Sequence, residues 1–300
     1  MSMSASATIA EEAGPAGFAE LLGAARPRLH RYCARMTGSV IDGEDVVQEA
    51  YVKAIQAFPA AGPLANAEGW LFRIAHNAAL DFLRRRARHA AFHVEQDLDL
   101  IADPATAAEP APARTSLRAF MHLPVAERSS VLLMDLLGYS LNEIGQMLDS
   151  TVPTVKAALH RGRRRLRALA DQPDTAAPQA LSAEDRARLG RYADRFNARD
   201  FDALRALLAE DVRLELVNRL RLAGKEVQRY FGNYAGAADW QLVPGLVEGR
   251  PALLVRDPGR ATAAPGYFIL LDWAGDRVAA IRDFRYAAYV TDGADLRVVG

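Results

Sequence analysis

The sequence predicts a multidomain protein, two all-α segments followed by an α+β domain, and three observations carry that expectation. Up to about residue 170 the apolar side chains recur at helical spacing. From Val212 the spacing changes to strict alternation, with Val212, Leu214 and Leu216 set against Arg213 and Glu215. Two stretches, 97–116 and 171–182, follow neither period and are rich in Ala and Pro, the composition of extended linkers. At 300 residues, half of them apolar, the chain is long enough for two or three separate cores. The expected boundaries are 18–90 and 116–170 for the helical segments, 91–115 and 171–182 for the linkers, and 183–300 for the α+β domain.

In the first segment, "GEDVVQEAYVKAI" places Val46, Val47, Ala50, Tyr51, Ala54 and Ile55 on one side of a helix. "EGWLFRIAHNAALDFLRRR" does the same with Trp70, Leu71, Ile74, Ala75, Ala78 and Phe82. Trp70 and Phe72, beside Arg73, suit either the core or a platform on which an unpaired base stacks, and helical spacing favours the core for Trp70.

In the second segment, Ser140 and Glu143 form a capping box that starts a short helix running to about Leu148, with Leu141, Ile144 and Leu148 inward. A turn of three or four residues follows. Pro153 then stands in the first turn of a longer helix, where its missing N–H leaves no bond unmade. Short helix, tight turn and long helix make a helix-turn-helix, whose second helix enters the major groove. That second helix begins "TVPTVKAALHRGRRRLR" (151–167), with six basic residues and no acidic one. Val155, Leu159 and Leu166 should bury against the first helix, leaving Thr151, Thr154, Lys156, Ala157, His160, Arg161, Arg163 and Arg164 outward. The earlier ones are placed for base edges and the later arginines for phosphates, which add affinity without sequence information. A basic face alone is as often merely solvated; the capping box, turn and proline together favour DNA.

In the third segment a helix over about 183–208 precedes the strand "VRLELV", a helix "KEVQRYFGNY" and the strands "ALLVR", "GYFILLDW" and "DRVAAIRDF".

Net charge is zero, 37 basic against 37 acidic residues, yet 18–90 holds ten basic and seven acidic, 91–115 one and five, and 116–170 eight and four. Neutrality overall therefore does not exclude a nucleic-acid partner, because clustering decides. No run approaches the roughly 18 apolar residues of a membrane helix, and the N-terminus lacks the pattern of a signal peptide, so no membrane partner and a cytoplasmic location are expected. Cys33 is the only cysteine, which rules out an internal disulfide and a thiolate metal cluster, and it reads as a small buried apolar residue. All six histidines lie at or before position 160, so 183–300 has no histidine base or histidine metal ligand. A base there would have to be a carboxylate such as Asp272 or Asp283, helped by Tyr230 or Tyr267. Each of these weighs more as a surface or turn residue, and neither an enzyme nor a cofactor is expected.

Residues 18–88 and 116–170 resemble the two conserved regions of an extracytoplasmic-function (ECF) sigma factor of the sigma-70 family. "DGEDVVQEAYVKAI" looks like the region 2 helix that meets the clamp coiled coil of RNA polymerase, with Asp45, Gln48 and Glu49 in matching positions. "WLFRIAHNAALDFLRRR" looks like the next helix, whose Asn77, Asp81, Arg84 and Arg85 positions lie at or near the opening −10 DNA. The loop "FPAAGPLANAEG" (58–69) would lie near a captured, flipped −10 base. "LPVAERSSVLLMDLLGYSLNEIGQMLDSTVPTVKAALHRGRRRLR" resembles region 4, the reader of the −35 element. The resemblance implies a region 2 helical bundle, a region 4 helix-turn-helix and, as partners, core RNA polymerase and promoter DNA, with the acidic linker threading through the polymerase. Two departures are a non-basic Ala158 after Ala157, implying fewer side-chain contacts to bases, and Gly145 in place of the usual alanine, a mild local weakening.

"RYADRFNARDFDALRALLAEDVRLELV" and the strands after it resemble the SnoaL-like branch of the nuclear-transport-factor-2-like superfamily, an α+β cone with an apolar pocket. Sigma-fused relatives carry a "DGGG"-like loop where "LVNRLRLAGKEV" stands here. The favoured role is a regulator packing on the sigma regions. Control in cis by this domain stands at least equal to control by a separate anti-sigma factor. The competing readings are a ligand-responsive helix-turn-helix regulator, which leaves the first segment unexplained, and a SnoaL-type enzyme with a helical appendage.

Overall fold

The computed structural model describes residues 15–93, 117–170, 180–235, 240–260 and 264–299, in two compact units, Met1–Asp174 and Thr175–Gly300. The two expected linkers fall almost wholly outside the described residues.

The N-terminal unit is all-helical: α1 (Pro15–Thr37), α2 (Val40–Ala61), α3 (Ala67–His93), α4 (Leu117–Met121), α5 (Val125–Val131), α6 (Leu141–Met147) and α7 (Val152–Ala170). A single wide turn over Leu132–Leu136 extends α5. Between α1 and α2 the chain turns at Gly38, φ 79°, and Ser39 then caps α2, its hydroxyl accepting from the Asp42 N–H at 3.2 Å. At 100° per residue, Val46, Val47, Ala50 and Ala54 form one stripe and are buried. Ile55 falls beyond that stripe and is 56% exposed, with Val52 beside it at 55%. The expectation that Ile55 turns inward is therefore corrected. The expected loop over 58–69 also shortens: α2 continues to Ala61, Phe58 stacks on Phe18 with ring centroids 3.9 Å apart, and α3 starts at Ala67.

One apolar cluster runs through both helical segments, joining Leu29, Tyr32, Val46 and Phe72 to Leu132, Tyr139, Ile144, Leu159 and Leu166. Arginines stitch the two together. Arg128, 4% exposed, donates to the carbonyl oxygens of Met36, Met121 (3.2 Å) and Leu123 (2.9 Å). Met36 lies in the last turn of α1, where backbone carbonyls lack helical partners and carry the negative end of the helix dipole. Arg28 pairs with Glu68, donates to the Leu137 carbonyl at 3.0 Å and lies over the Tyr139 ring at 5.2 Å. Tyr139 in turn meets Phe72 edge-on at 5.3 Å.

The C-terminal unit is α+β, as expected. The single helix anticipated over 183–208 is two, α8 (Ala183–Asn197) and α9 (Phe201–Ala206). The break falls where Arg199 takes a left-handed conformation (φ 64°) and Asp200 caps α9, accepting from the Ala203 N–H at 3.0 Å. Seven strands follow: β1 (Leu208–Leu216), β2 (Leu220–Ala223), β3 (Gln241–Val247), β4 (Arg250–Arg256), β5 (Tyr267–Ala274), β6 (Arg277–Asp283) and β7 (Leu296–Val298). Their order is β2-β1-β6-β5-β4-β3-β7, with only β1 and β6 parallel. Gly224–Phe231, expected as α-helix, is a tighter 3-10 segment that leads into α10 (Gly232–Ala235). β2, β3 and β7 were not legible in the sequence; β3 carries Pro244 and Gly245, which argue against a strand. Pro244 is tolerated because β7 pairs only with Gly245–Val247. One face of the sheet contributes Leu214, Leu216, Ile269 and Ile281 to a core with Tyr192 and Phe196 of α8.

Candidate nucleic-acid interface

The helix-turn-helix forms as its local signals dictate. Ser140 caps α6 and Glu143 closes the box, the Ser140 N–H donating to Glu143 Oε2 at 2.8 Å. The turn closes through the Ser150 N–H donating to the Gly145 carbonyl at 2.8 Å. A Cβ on Gly145 would sit 2.9 Å from the Ser150 carbonyl oxygen, so the glycine read as a weakening is what admits this turn. Gly162 plays the same part in α7, where a Cβ would meet Val131 Cγ2 at 2.8 Å and the Glu127 carbonyl oxygen at 3.1 Å. It lets α7 lie close on α5.

Val155, Leu159 and Leu166 are buried, as their spacing implies, and Thr151, Thr154, Lys156, Ala157, His160 and Arg161 are exposed. Ala158 is 2% exposed. It belongs to the core side of α7, so its apolar character says nothing about base contacts. The Thr151 and Thr154 hydroxyls bond each other at 2.8 Å at the start of α7. Further along, arginines are tied back to α5 and its extension: Arg161 Nε lies 2.9 Å from Glu127 Oε1, and Arg163 Nε donates to Asp135 Oδ2 at 2.9 Å. The Asp135 bond raises the Arg163 pKa further. Arg164 is half-buried, with no ion pair among the described residues.

In the first segment Asp45 is exposed and Gln48 and Glu49 are half-buried on α2; Asn77, Arg84 and Arg85 are exposed on α3, with Asp81 half-buried. The two sets meet in one ion network. Arg85 Nη2 is 2.6 Å from Glu49 Oε2, Lys53 Nζ is 2.8 Å from Glu49 Oε1 and 3.3 Å from Asp81 Oδ2, and Arg84 Nη1 is 3.2 Å from Asp81 Oδ1. Partial burial pushes the Glu49 carboxyl up, but the bonds from Arg85 and Lys53 outweigh it and hold the group below the usual carboxylate range. Lys53, the hub of this network, escaped the sequence reading, although its spacing of four from Glu49 on one helix was the available signal.

Phe72 is 1% exposed, edge-on to Tyr32 at 5.8 Å, which removes it as a stacking platform. Trp70 is half-buried, 6.3 Å from Phe18. With Asn66, Arg73, Glu143, Gln146 and Met147, it lines a cavity of about 170 Å³ between the start of α3 and α6. In the C-terminal unit Asp272 is exposed, whereas Asp283 is fully buried, accepting from the Tyr230 hydroxyl at 2.9 Å and the Tyr234 hydroxyl at 2.6 Å. The expectation that Asp283 is a surface or turn residue is thus corrected. Cys33 is buried, and burial pushes its thiol up. Among the described residues no helix is long and apolar enough to cross a membrane.

Two family models match the chain, Sigma-70 region 2 over residues 21–89 and Sigma-70, region 4 over residues 117–166. The ECF RNA polymerase sigma factor SigG of Mycobacterium tuberculosis is 28% identical over 305 residues, covering 86% of this chain and 78% of that protein. SigM of the same species, also an ECF RNA polymerase sigma factor, is 35% identical over 139 residues, covering 46% of this chain and 69% of that protein. The crystal structure of SigJ, an extracytoplasmic function sigma factor of M. tuberculosis, covers 89% of this chain and 95% of its own, with 20% identity and a TM-score of 0.36. A helix-turn-helix, a second helical segment matching region 2 and relatives of this kind lead to one conclusion: the chain belongs to the ECF sigma factors, which are not enzymes but transcription initiation factors that bind core RNA polymerase and promoter DNA.

Proposed function

We propose that 18–90 engages core polymerase through Asp45, Gln48 and Glu49 and the −10 element through Asn77, Asp81, Arg84 and Arg85. In the same reading, 116–170 engages the −35 element through Thr151, Thr154, Lys156, His160, Arg161, Arg163 and Arg164. The observation that carries it is the pairing of an exposed α7 N-terminal half with an ion network joining the polymerase-side and DNA-side residues of α2 and α3. The linker 91–115 separates these two regions from each other, and 171–182 separates them from a SnoaL-like domain, 183–300, that acts in cis as a regulator; the protein works in the cytoplasm.

Geometry adds a requirement. The −10 and −35 elements lie about 25 base pairs apart, about 85 Å at 3.4 Å per pair. A packed helical body of this size has a radius of gyration of about 14 Å, and its two DNA-reading parts share one core. Region 4 must therefore leave region 2 when both elements are engaged. The 94–116 segment has a covalent reach of about 75 Å, and the breadth of the two regions it joins, each on the order of 10 Å or more from end of segment to DNA-facing side, makes up the remainder.

The test is transcription from a candidate promoter with core polymerase, comparing the full chain with residues 1–175. Recruitment by neither ends the reading. A sharp rise or fall on truncation supports regulation by the C-terminal unit, and unchanged activity counts against it.

A further inference from the structure

Two carboxylates hold arginines of α7, and they hold them differently. Asp135 takes Arg163 by two nitrogens, Nε donating to Oδ2 at 2.9 Å and Nη2 donating to Oδ1. A phosphate gripped two-pronged would need that same fork, so Arg163 meets DNA only by giving Asp135 up. Glu127 takes Arg161 by Nε alone, at 2.9 Å from Oε1. Among the described residues neither Nη of Arg161 has a partner, and its side chain is 54% exposed.

Glu127 is 4% exposed and stands where α7 lies close on α5. A Cβ on Gly162 would come within 3.2 Å of the Glu127 Cβ, and Arg161 and Arg165, one helical turn apart, flank that glycine. Arg165 Nε is 3.5 Å from Glu127 Oε2, on a side chain 23% exposed. The carboxylate therefore has an inner cation, Arg165, that offsets its burial, and an outer one, Arg161, that it can aim.

We propose that Glu127 is a positioning residue for DNA binding: it fixes Arg161 with both Nη groups outward, ready to meet one backbone phosphate two-pronged while the Nε bond stays in place. An arginine loose on the surface must give up its rotamer freedom when it binds. Here that freedom is already lost on folding. The planar fork matters, because a guanidinium offers Nε to Glu127 and both Nη groups to a phosphate at once, whereas an ammonium is a single point of contact. The proposal rests on the reading that 116–170 engages the −35 element, and an Arg161→Ala variant tests that reading by itself.

The test is titration of a labelled candidate-promoter duplex with the full-length protein loaded on core polymerase, across a salt series. Arg161→Ala should lower affinity and flatten the dependence of log affinity on log salt by about 0.9. No change in either shows that Arg161 meets no phosphate, and both that role and the proposal fall. Glu127→Gln, which keeps the shape and removes the charge that holds Arg161, should lower affinity about three- to ten-fold and should have no further effect in an Arg161→Ala background. Unchanged affinity in Glu127→Gln, beside a loss in Arg161→Ala, overturns the proposal and leaves the reading of region 4 standing. So does an equal loss in both backgrounds, the mark of a merely structural glutamate, or a gain, the mark of one that only competes with DNA. Arg161→Lys, a change at an exposed side chain, gives a second measure that does not disturb the buried carboxylate. It should keep the salt slope yet lose affinity about as Glu127→Gln does, and wild-type affinity in this variant overturns the proposal as well.

Discussion

Arg85 and Glu49 face each other across α2 and α3 at 2.6 Å, so the arginine proposed to meet DNA is held by the carboxylate proposed to meet polymerase. Each can exchange this partner for an external one. Glu49→Gln should weaken core binding severalfold yet lower stability by no more than about 2 kcal/mol, since it weakens two partly exposed pairs, to Arg85 and Lys53. Core titration together with thermal unfolding separates the two effects. A large fall in Tm with unchanged core affinity would assign Glu49 to folding alone.

Arg163 is bound to Asp135, which competes with a phosphate for the same guanidinium. Arg163→Ala should lower promoter affinity about equally for all sequences. Asp135→Asn should raise it, and should steepen the dependence of log affinity on log salt by up to about 0.9, one phosphate's worth of released counterion. Binding of core-loaded protein to a promoter duplex across a salt series gives the slope. If Asp135→Asn leaves the slope unchanged, Arg163 does not reach a phosphate.

What was legible in the sequence was local. Ser140, Glu143 and Pro153 specify the helix-turn-helix because capping and proline act within a turn of the chain. Periodicity fixed faces to within a residue or so, and its error, Ile55, lies at the margin of its stripe; Ala158 was misplaced by the resemblance, not by its spacing. The long-range partners left no signal. Arg128 reaches Met36, 92 residues away, and Tyr234 reaches Asp283, 49 residues away; a period names the buried face of an element but not what it is buried against. For the same reason the shared core of the two helical segments could not be read from a sequence whose composition marks a linker between them.

His76 gives the N-terminal unit an acid limit. It is 9% exposed, its Nδ1 lies 2.7 Å from the Tyr32 hydroxyl, and burial lowers its pKa to about 4. The unfolded chain protonates His76 near 6.5, before the folded protein does. Its contribution to stability is complete above pH 6.5 and is lost as the pH falls toward 4, amounting to on the order of 3 kcal/mol. Buried His30, also lowered, acts in the same direction. Unfolding midpoints in urea should therefore drop between pH 6.5 and 4. His76→Gln, which keeps an acceptor for Tyr32, should flatten most of that drop, and a variant as acid-sensitive as the wild type would rule His76 out as the cause.

Arg28 is the natural place to loosen the contact between regions 2 and 4. Its side chain is 39% exposed, unlike that of Arg128, so removing it should not leave a buried group stranded. Arg28→Ala forfeits its two contacts with region 4, the bond to the Leu137 carbonyl and the stacking over Tyr139. The apolar contacts of the shared core persist, so the closed form should weaken rather than vanish, by about 1–2 kcal/mol for one partly exposed hydrogen-bonded cation. A closed population favoured tenfold would become one near balance, since 1.4 kcal/mol is a factor of ten. Small-angle scattering of the free variant should then show a larger radius of gyration than the wild type. Core polymerase should bind it at least as tightly, because part of the opening cost is already met. An unchanged radius together with weaker core binding would place Arg28 in the polymerase interface instead of the closed contact.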